Sequence, residues 1–478
     1  MTDTARDIRH ERHMTDAEAL MWAAEKDPWM SSAMGSVFVL DEAPDFDRLT
    51  ETMRRASATL LRLRERVEPG LGLAPPRWVV DPEFDVSEHV RRVRLPARGG
   101  LRELLDLAAE TFSDPFDPSR PLWQFVAVDG SGSRRNDAVN GAIILKLHHS
   151  VSDGIGAVRL AEMYLDLDRN PAPLDDVAAG EPDDATSDSS LDRALADITH
   201  LAKRPVTIAR AAAAEVAMWG ADPGRVRGVL AKATALARTA ANQVGGSGSA
   251  ATGSPLWATR SRHRELHTLD LRLDDMRAAA KALDVSINDV FVAGSVLAAA
   301  RLHEVEDAEV DAFNVSFIVS TRADEAAGGN SFAPLPFRAP SAVLDPAETA
   351  REVATAMADA RTKAGVGAAA ALDMVAGVAV LLPPALLSRA ARARAAQIDW
   401  ATSNLRGVPI PIYVAGGEVT RMYPVGPLAG TAFNLTALSY NGGMYLGLFV
   451  DPRAVAVPED LMAALESAYS DLLSAGER

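Results

Sequence analysis

The chain has 478 residues, 48% apolar and 24% charged, a composition that excludes a wholly disordered or membrane-embedded protein and a length that suits two domains of about 200 residues each. A formal net charge of −16 excludes the broad positive field on which nucleic-acid binding rests, so no nucleic-acid partner is expected. The absence of cysteine removes disulfides, thiolate nucleophiles, iron–sulfur clusters and cysteine-based zinc sites. The first twenty residues mix both signs of charge, and no stretch approaches the roughly 18 apolar residues of a membrane span, so a cytoplasmic location is expected.

Thr15-Asp16-Ala17-Glu18 has the spacing of a capping box ahead of Leu20, Met21 and Trp22, which predicts a helix start. A strand is expected at 36–40, an amphipathic Arg-rich helix at 46–67, and strands at 78–80, up to Val93, and at 124–128. Residues 170–191 are acidic and rich in Pro, Ser and Ala, and 243–254 are rich in Gly and Ser; both have linker composition. The Ala-rich stretch between them, broken by Pro205 and Asp222-Pro223-Gly224, reads as a few crossover helices. The expected division is therefore 1–170, a linker with crossover helices at 171–254, and 255–478. Beyond the linker come a strand at 266–271, a helix at 274–283, a buried Ala/Val-rich helix at 288–302 and a strand at 315–319, the pattern of a second α/β domain. Strands at 436–440 and 444–450 flank Asn441-Gly442-Gly443, a hairpin turn.

The chemistry concentrates where the apolar run from Gly141 to Leu147, interrupted by Lys146, ends at His148-His149. Read as a strand, the run turns Ile143, Leu145, Leu147 and His149 to one side and Ile144, Lys146 and His148 to the other, so the two histidines cannot do the same job. Ser152-Asp153-Gly154 then has turn and N-cap chemistry, opening a helix at 155–167. An imidazole with an ordinary pKa near 6.5 can take a proton at neutral pH, which allows a general base here. A structural histidine with Asp153 as a helix cap fits the same residues, and for an isolated pair the spacing favours it. A metal site finds little support, since the other histidines stand singly at 10, 13, 89, 200, 263, 267 and 303. No G-x-S-x-G elbow surrounds Ser150 or Ser152, and the Gly/Ser tract near 245 lacks the Lys-Ser/Thr ending of a phosphate loop. Arg260, Arg262 and Arg264 could bind an anionic substrate or be solvated surface arginines.

The run His148-His149-Ser150-Val151-Ser152-Asp153-Gly154 resembles the HHxxxDG motif of the acyl-CoA-dependent acyltransferases, a superfamily that includes chloramphenicol acetyltransferase and nonribosomal peptide condensation domains. More narrowly, the chain resembles the bacterial wax ester synthase/diacylglycerol acyltransferase family. Supporting pieces stand in family order: Pro121-Leu122-Trp123, Asn288-Asp289-Val290, Gly329-Asn330, and Ser403-Asn404 followed by Pro409. Ser254-Pro255-Leu256-Trp257 departs from the usual Pro- and Asn-containing signature, and the linker is long and acidic.

That resemblance implies an α/β fold of two chloramphenicol-acetyltransferase-like domains, each a mixed sheet with flanking helices, and an active-site channel between them. It implies an O-acyltransferase that moves a long-chain acyl group from acyl-CoA to a hydroxyl of diacylglycerol or a long-chain alcohol, with no cofactor and no metal. His149 would be the general base and His148 a support for the loop. Asp153 would pair with an arginine that fixes the turn, and Gly154 would allow a close backbone approach. Asn288 would face the oxyanion, although a capping role fits its position too. Pro121, Leu122, Trp123, Asp289, Ser403 and Asn404 would shape the substrate channel. Two other readings stay open: a carrier-protein-dependent, condensation-type acyltransferase, and a non-catalytic protein that coats lipid droplets. The apolar run 372–387, split by Pro383-Pro384 and followed by Arg389, Arg392 and Arg394, could rest on a membrane face or lipid inclusion, or be a core helix with a basic end.

Overall fold

The computed structural model describes residues 13–27, 29–70, 74–97, 99–130, 138–151, 157–171, 253–320, 332–342, 345–364 and 384–475. Asp153, Gly154, Gly329, Asn330, the crossover segment and most of the apolar run 372–387 lie outside the described residues. Strands are β1 (Ala33–Leu40), β2 (Glu65–Glu68), β3 (Arg77–Val80), β4 (Val90–Arg94), β5 (Trp123–Asp129), β6 (Gly141–His148) and β7 (Glu265–Arg272). They continue with β8 (Phe313–Ser320), β9 (Phe332–Ala339), β10 (Trp400–Arg406), β11 (Tyr413–Val414), β12 (Gly417–Val425), β13 (Phe433–Tyr440) and β14 (Gly443–Val450). Helices are α1 (Asp16–Ala24), α2 (Phe46–Thr59), α3 (Leu101–Ser113), α4 (Ala157–Tyr164), α5 (Leu273–Leu283), α6 (Ile287–Val305), α7 (Pro346–Ala364), α8 (Pro384–Ala395) and α9 (Pro458–Ala475).

Two six-stranded mixed sheets organise these elements, in the orders β11-β12-β1-β6-β5-β4 and β7-β14-β13-β10-β8-β9. Each contains parallel pairs, β4 with β5 in the first and β10 with both β13 and β8 in the second, amid antiparallel neighbours. The sheets are not built from separate halves of the sequence. β12, from the last quarter of the chain, pairs with β1 along Gly35↔Val425 to Leu40↔Val419, so the second half closes the first sheet. Where the halves meet, Gly447 of β14 approaches β12 so closely that a Cβ would lie 1.9 Å from the Pro424 carbonyl oxygen.

The first sheet buries both faces. Ile143, Leu145 and Leu147 of β6 join the core formed with α2 and α4, whereas Ala142 and Ile144 join the core under α3 together with Leu266 and Phe449 of the second sheet. The alternation expected for β6 is present through His148, but the strand ends there and His149 lies in a helical turn, so strand alternation does not set its side. In the second layer α6 is buried nearly all round, and Gly294 is required because a Cβ there would meet the Tyr469 ring of α9 at 2.2 Å.

Two elements depart from expectation. The helix expected over 46–67 ends at Thr59: Leu60 turns extended, a short 3-10 turn follows at Leu61–Arg64, and residues 65–68 pair with β3. The apolar spacing of Leu60, Leu63 and Val67 continues the helical period, but those side chains enter the core from a turn and a strand. The helix expected to reach residue 167 stops at Tyr164, because Asp166 exchanges backbone hydrogen bonds with Tyr413 of β11. The hairpin β13–β14 is as expected, with Asn441 and Gly442 at φ 43° and 81°, the positive values of a tight two-residue turn.

Candidate active site

β6 delivers His148 as its last residue, and His149, Ser150 and Val151 enter a helical turn. Neighbouring strands fix this corner: the His148 N–H donates to the Leu122 carbonyl and the His149 N–H to the Ser32 carbonyl, at 3.0 and 3.1 Å. His148 is fully buried, while His149 is partly exposed.

The buried imidazole is held on both nitrogens. Nε2 lies 2.5 Å from Glu25 Oε2, and Nδ1 lies 2.6 Å from Ser150 Oγ and 3.2 Å from the Ser150 N–H. Trp22 and Phe116 meet its ring edge-on, with centroids 5.8 and 6.1 Å away. Two residues earlier on the same face, Lys146 is only 2% exposed; its Nζ donates to the Asp114 carbonyl and sits 4.3 Å from the Phe116 ring centre. Burial pushes its pKa down to about 8, with Asp114 and Glu25 opposing the shift. A strand apolar up to its lysine thus carries two polar side chains on one inward face.

Glu25, the C-cap of α1, ties this face to the next loop. Its Oε1 accepts from the Ser32 N–H at 3.3 Å and the Ser31 hydroxyl at 3.4 Å. Sequence reasoning does not find Glu25, Ser32 or the role of Ser150. The only signal is that Lys146 and His148 share a buried face and each needs a partner.

The other expected site residues are placed as follows. Pro121, Leu122 and Trp123 are buried at the start of β5; the Trp123 indole N–H donates to the Leu63 carbonyl at 2.8 Å and its ring stacks 4.5 Å from His89. Burial lowers the His89 pKa. Asn288 occupies the first turn of α6, partly exposed. Asp289, expected in the substrate channel, belongs to a capping box: its Oδ2 accepts from the N–H and hydroxyl of Ser286 at 2.9 and 2.7 Å, and Oδ1 has no partner among the described residues. Ser403 and Asn404 lie on β10 beyond Thr402, the last residue paired with β8, and Asn404 is exposed.

Arg260 and Arg264 are partly buried and turned to backbone carbonyls. Arg260 donates to the carbonyls of Gly430, Trp257 and Thr259; Arg264 donates to those of Ser261 and His263 and lies 3.5 Å from the buried Asp451. Burial lowers the pKa of both. Arg262 is exposed. Glu265, His267 and Glu459 bring potential metal-ligand atoms within 4.8 Å of one another, but Glu265 and His267 already share a 3.2 Å contact beside the first turn of α9.

Two interlocked mixed sheets thus place a histidine pair at the end of a central strand of the first. The architecture matches the wax ester synthase/diacylglycerol acyltransferase from Marinobacter aquaeolei VT8 with a TM-score of 0.65 at 20% identity, covering 97% of this chain and 100% of that one. It also matches the first condensation domain of the calcium-dependent antibiotic synthetase, with a TM-score of 0.53 at 17% identity, covering 98% and 97%. In sequence, residues 14–291 match the wax ester synthase/diacylglycerol acyltransferase catalytic domain and residues 328–473 the C-terminal domain of the same group. The chain belongs to the wax ester synthase/diacylglycerol acyltransferase family. A Mycobacterium tuberculosis H37Rv protein named for diacylglycerol O-acyltransferase activity is 31% identical over 484 residues, covering 99% of this chain and 94% of the relative. A second from the same strain is 29% identical, covering 87% and 86%.

Proposed function

We propose that this acyltransferase moves a long-chain acyl group from acyl-CoA to a hydroxyl of diacylglycerol or a long-chain alcohol, with His149 as the general base. One observation carries the assignment: of the two adjacent histidines, His148 is sealed and bonded on both nitrogens, whereas His149 is the partly exposed one, its backbone clamped to Ser32. A base needs both access to the acceptor and a fixed position, and only His149 combines them.

In the reaction, the His149 imidazole takes the acceptor's hydroxyl proton as its oxygen attacks the thioester carbonyl. The tetrahedral oxyanion then collapses, the carbon–sulfur bond breaks, and the thiolate of CoA takes the proton from the imidazolium. The products are an ester and free CoA, with no covalent acyl-enzyme, no cofactor and no metal. Asn288 is assigned to the oxyanion, where a preorganised donor is worth most. Asp289 supports that assignment indirectly, because its capping box fixes the turn that carries Asn288. Asp153 and Gly154 are assigned to the motif's turn. Pro121, Leu122, Trp123, Ser403 and Asn404 are assigned to the channel wall, the first three by setting the strand that holds His148.

The acceptor is apolar, so the protein works at a membrane face or lipid inclusion. No single helix among the described residues is long and apolar enough to cross a membrane. Of the three arginines following the run 372–387, Arg392 is already engaged: its guanidinium stacks 3.5 Å from the Trp29 ring centre, beside Asp27. Arg394 donates to the Gln397 side-chain carbonyl at 2.9 Å, which leaves the exposed Arg389 for the anionic surface.

Purified protein incubated with palmitoyl-CoA and a panel of diacylglycerols, long-chain alcohols and small hydroxylated molecules tests the reading. Ester formation with equimolar CoA release is expected from the lipid acceptors. If ester forms from palmitoyl-loaded carrier protein and never from palmitoyl-CoA, the donor assignment is wrong.

A further inference from the structure

We infer that Glu25 is a positioning residue for His149, acting through His148 on one side and through the backbone of Ser31-Ser32 on the other. This rests on His149 being the base. One carboxylate spans both loops that flank it. Oε2 meets His148 Nε2 at 2.5 Å, and Oε1 takes the Ser32 N–H and the Ser31 hydroxyl. The Ser32 carbonyl in turn receives the His149 N–H.

The network also assigns the tautomer of the buried ring. The Ser150 N–H points at Nδ1, so Nδ1 must carry the lone pair, and the Ser150 hydroxyl, 2.6 Å away, can donate to the same atom. Nε2 then holds the proton and donates it to Glu25. A carboxylate is the one group at this position that accepts from the ring and from the loop at once without donating. A glutamine amide supplies a single acceptor oxygen; its NH2 would face either the imidazole N–H or the Ser32 N–H, donor against donor.

Glu25 itself stands on a fixed base. It caps α1 with its own N–H on the Met21 carbonyl at 3.0 Å, and the other end of α1 is closed by the Thr15–Glu18 capping box. The short helix at the start of the chain therefore carries the part that orients the motif 123 residues later.

Glu25→Gln is expected to lower kcat by about 10- to 100-fold, the scale of a misplaced reacting group. KM for palmitoyl-CoA and for the acceptor should stay within about threefold, and Glu25→Asp should recover part of the loss. Nitrogen-15 NMR of histidine-labelled protein supplies a readout independent of turnover: His148 should show a protonated Nε2 and a bare Nδ1 in wild type, and lose that fixed pattern in Glu25→Gln. Ser150→Ala, which disturbs only the Nδ1 side, should give a smaller kcat loss and remains available if Glu25→Gln does not fold. Wild-type kcat in folded Glu25→Gln, or a loss confined to KM, would overturn the inference. So would an unchanged kcat in Ser150→Ala together with a mobile His148 tautomer in wild type. An active His149→Ala would instead remove the base assignment, while the NMR pattern of the Glu25–His148 pair could still stand.

Discussion

Two buried histidines, one in each sheet's layer, each meet a serine hydroxyl with one ring nitrogen and another oxygen with the second, in opposite tautomers. His303, 3% exposed on the last turn of α6, donates Nδ1–H to the Ala299 carbonyl at 2.7 Å and presents Nε2 to the Ser254 hydroxyl at 2.5 Å. His148 donates from Nε2 to Glu25 and receives at Nδ1 from Ser150. Judged by hydrogen bonds alone, the His303 pair looks more like chemistry, because a hydroxyl aimed at a bare Nε2 is the arrangement of an activated serine. Yet Ser254 is 2% exposed, its oxygen also accepts the Leu256 N–H, and Trp257 and Phe313 close the ring from two sides. Among the described residues the pair is sealed from solvent. What distinguishes the β6 corner is a carboxylate that links the buried ring to a second loop, and a partly exposed histidine next in sequence.

The two histidine regions separate most sharply at His149. His149→Ala should lower turnover by about 10²–10⁴, the usual share of general acid–base catalysis, with the melting temperature little changed. His303→Leu should do the reverse: turnover within about twofold of wild type, and stability lower by roughly 2 kcal/mol, since the Ser254 hydroxyl loses its acceptor and the bond from the ring to the Ala299 carbonyl is lost. A His303→Leu protein that folds but has lost turnover would show that the two regions are not divided as described.

His303 also predicts a pH effect. Burial lowers its pKa below the ordinary 6.5, so the folded state keeps the ring neutral while the unfolded chain binds a proton first. The stabilisation is complete above pH 6.5 and is lost as pH falls from there toward the folded value. Melting temperatures measured between pH 7.5 and 5 should fall more steeply for wild type than for His303→Leu; parallel curves would contradict the account. The smallest expected effect is at Ser254→Ala, which should cost about 1 kcal/mol in urea unfolding and leave turnover unchanged.

The histidine corner was legible in the sequence because it depends on local order. A period of two over 141–147 assigns the faces of β6, and the structure keeps those faces. The Asn441-Gly442 turn was legible for the same reason, its positive φ values suiting those residues. Glu25 was not, because its partner lies 123 residues away and its own surroundings, the end of a short helix, look like solvent-facing sequence. The exchange of β12 into the first sheet was equally hidden: its partner β1 lies near the other end of the chain, and no local pattern says which sheet a strand completes. The over-long reading of α2 had a different cause. Leu60, Leu63 and Val67 keep a helical spacing while the chain has already turned toward β2, so periodicity followed the core and missed the backbone.

The claim that His149 takes the acceptor's proton is tested most directly by adding imidazole to His149→Ala and measuring ester formed from palmitoyl-CoA and a diacylglycerol. With His149 as the base, turnover is near zero without imidazole and rises in proportion to imidazole base, with no such rise in wild type. A His149→Ala protein whose turnover stays within about threefold of wild type before any imidazole is added would contradict it.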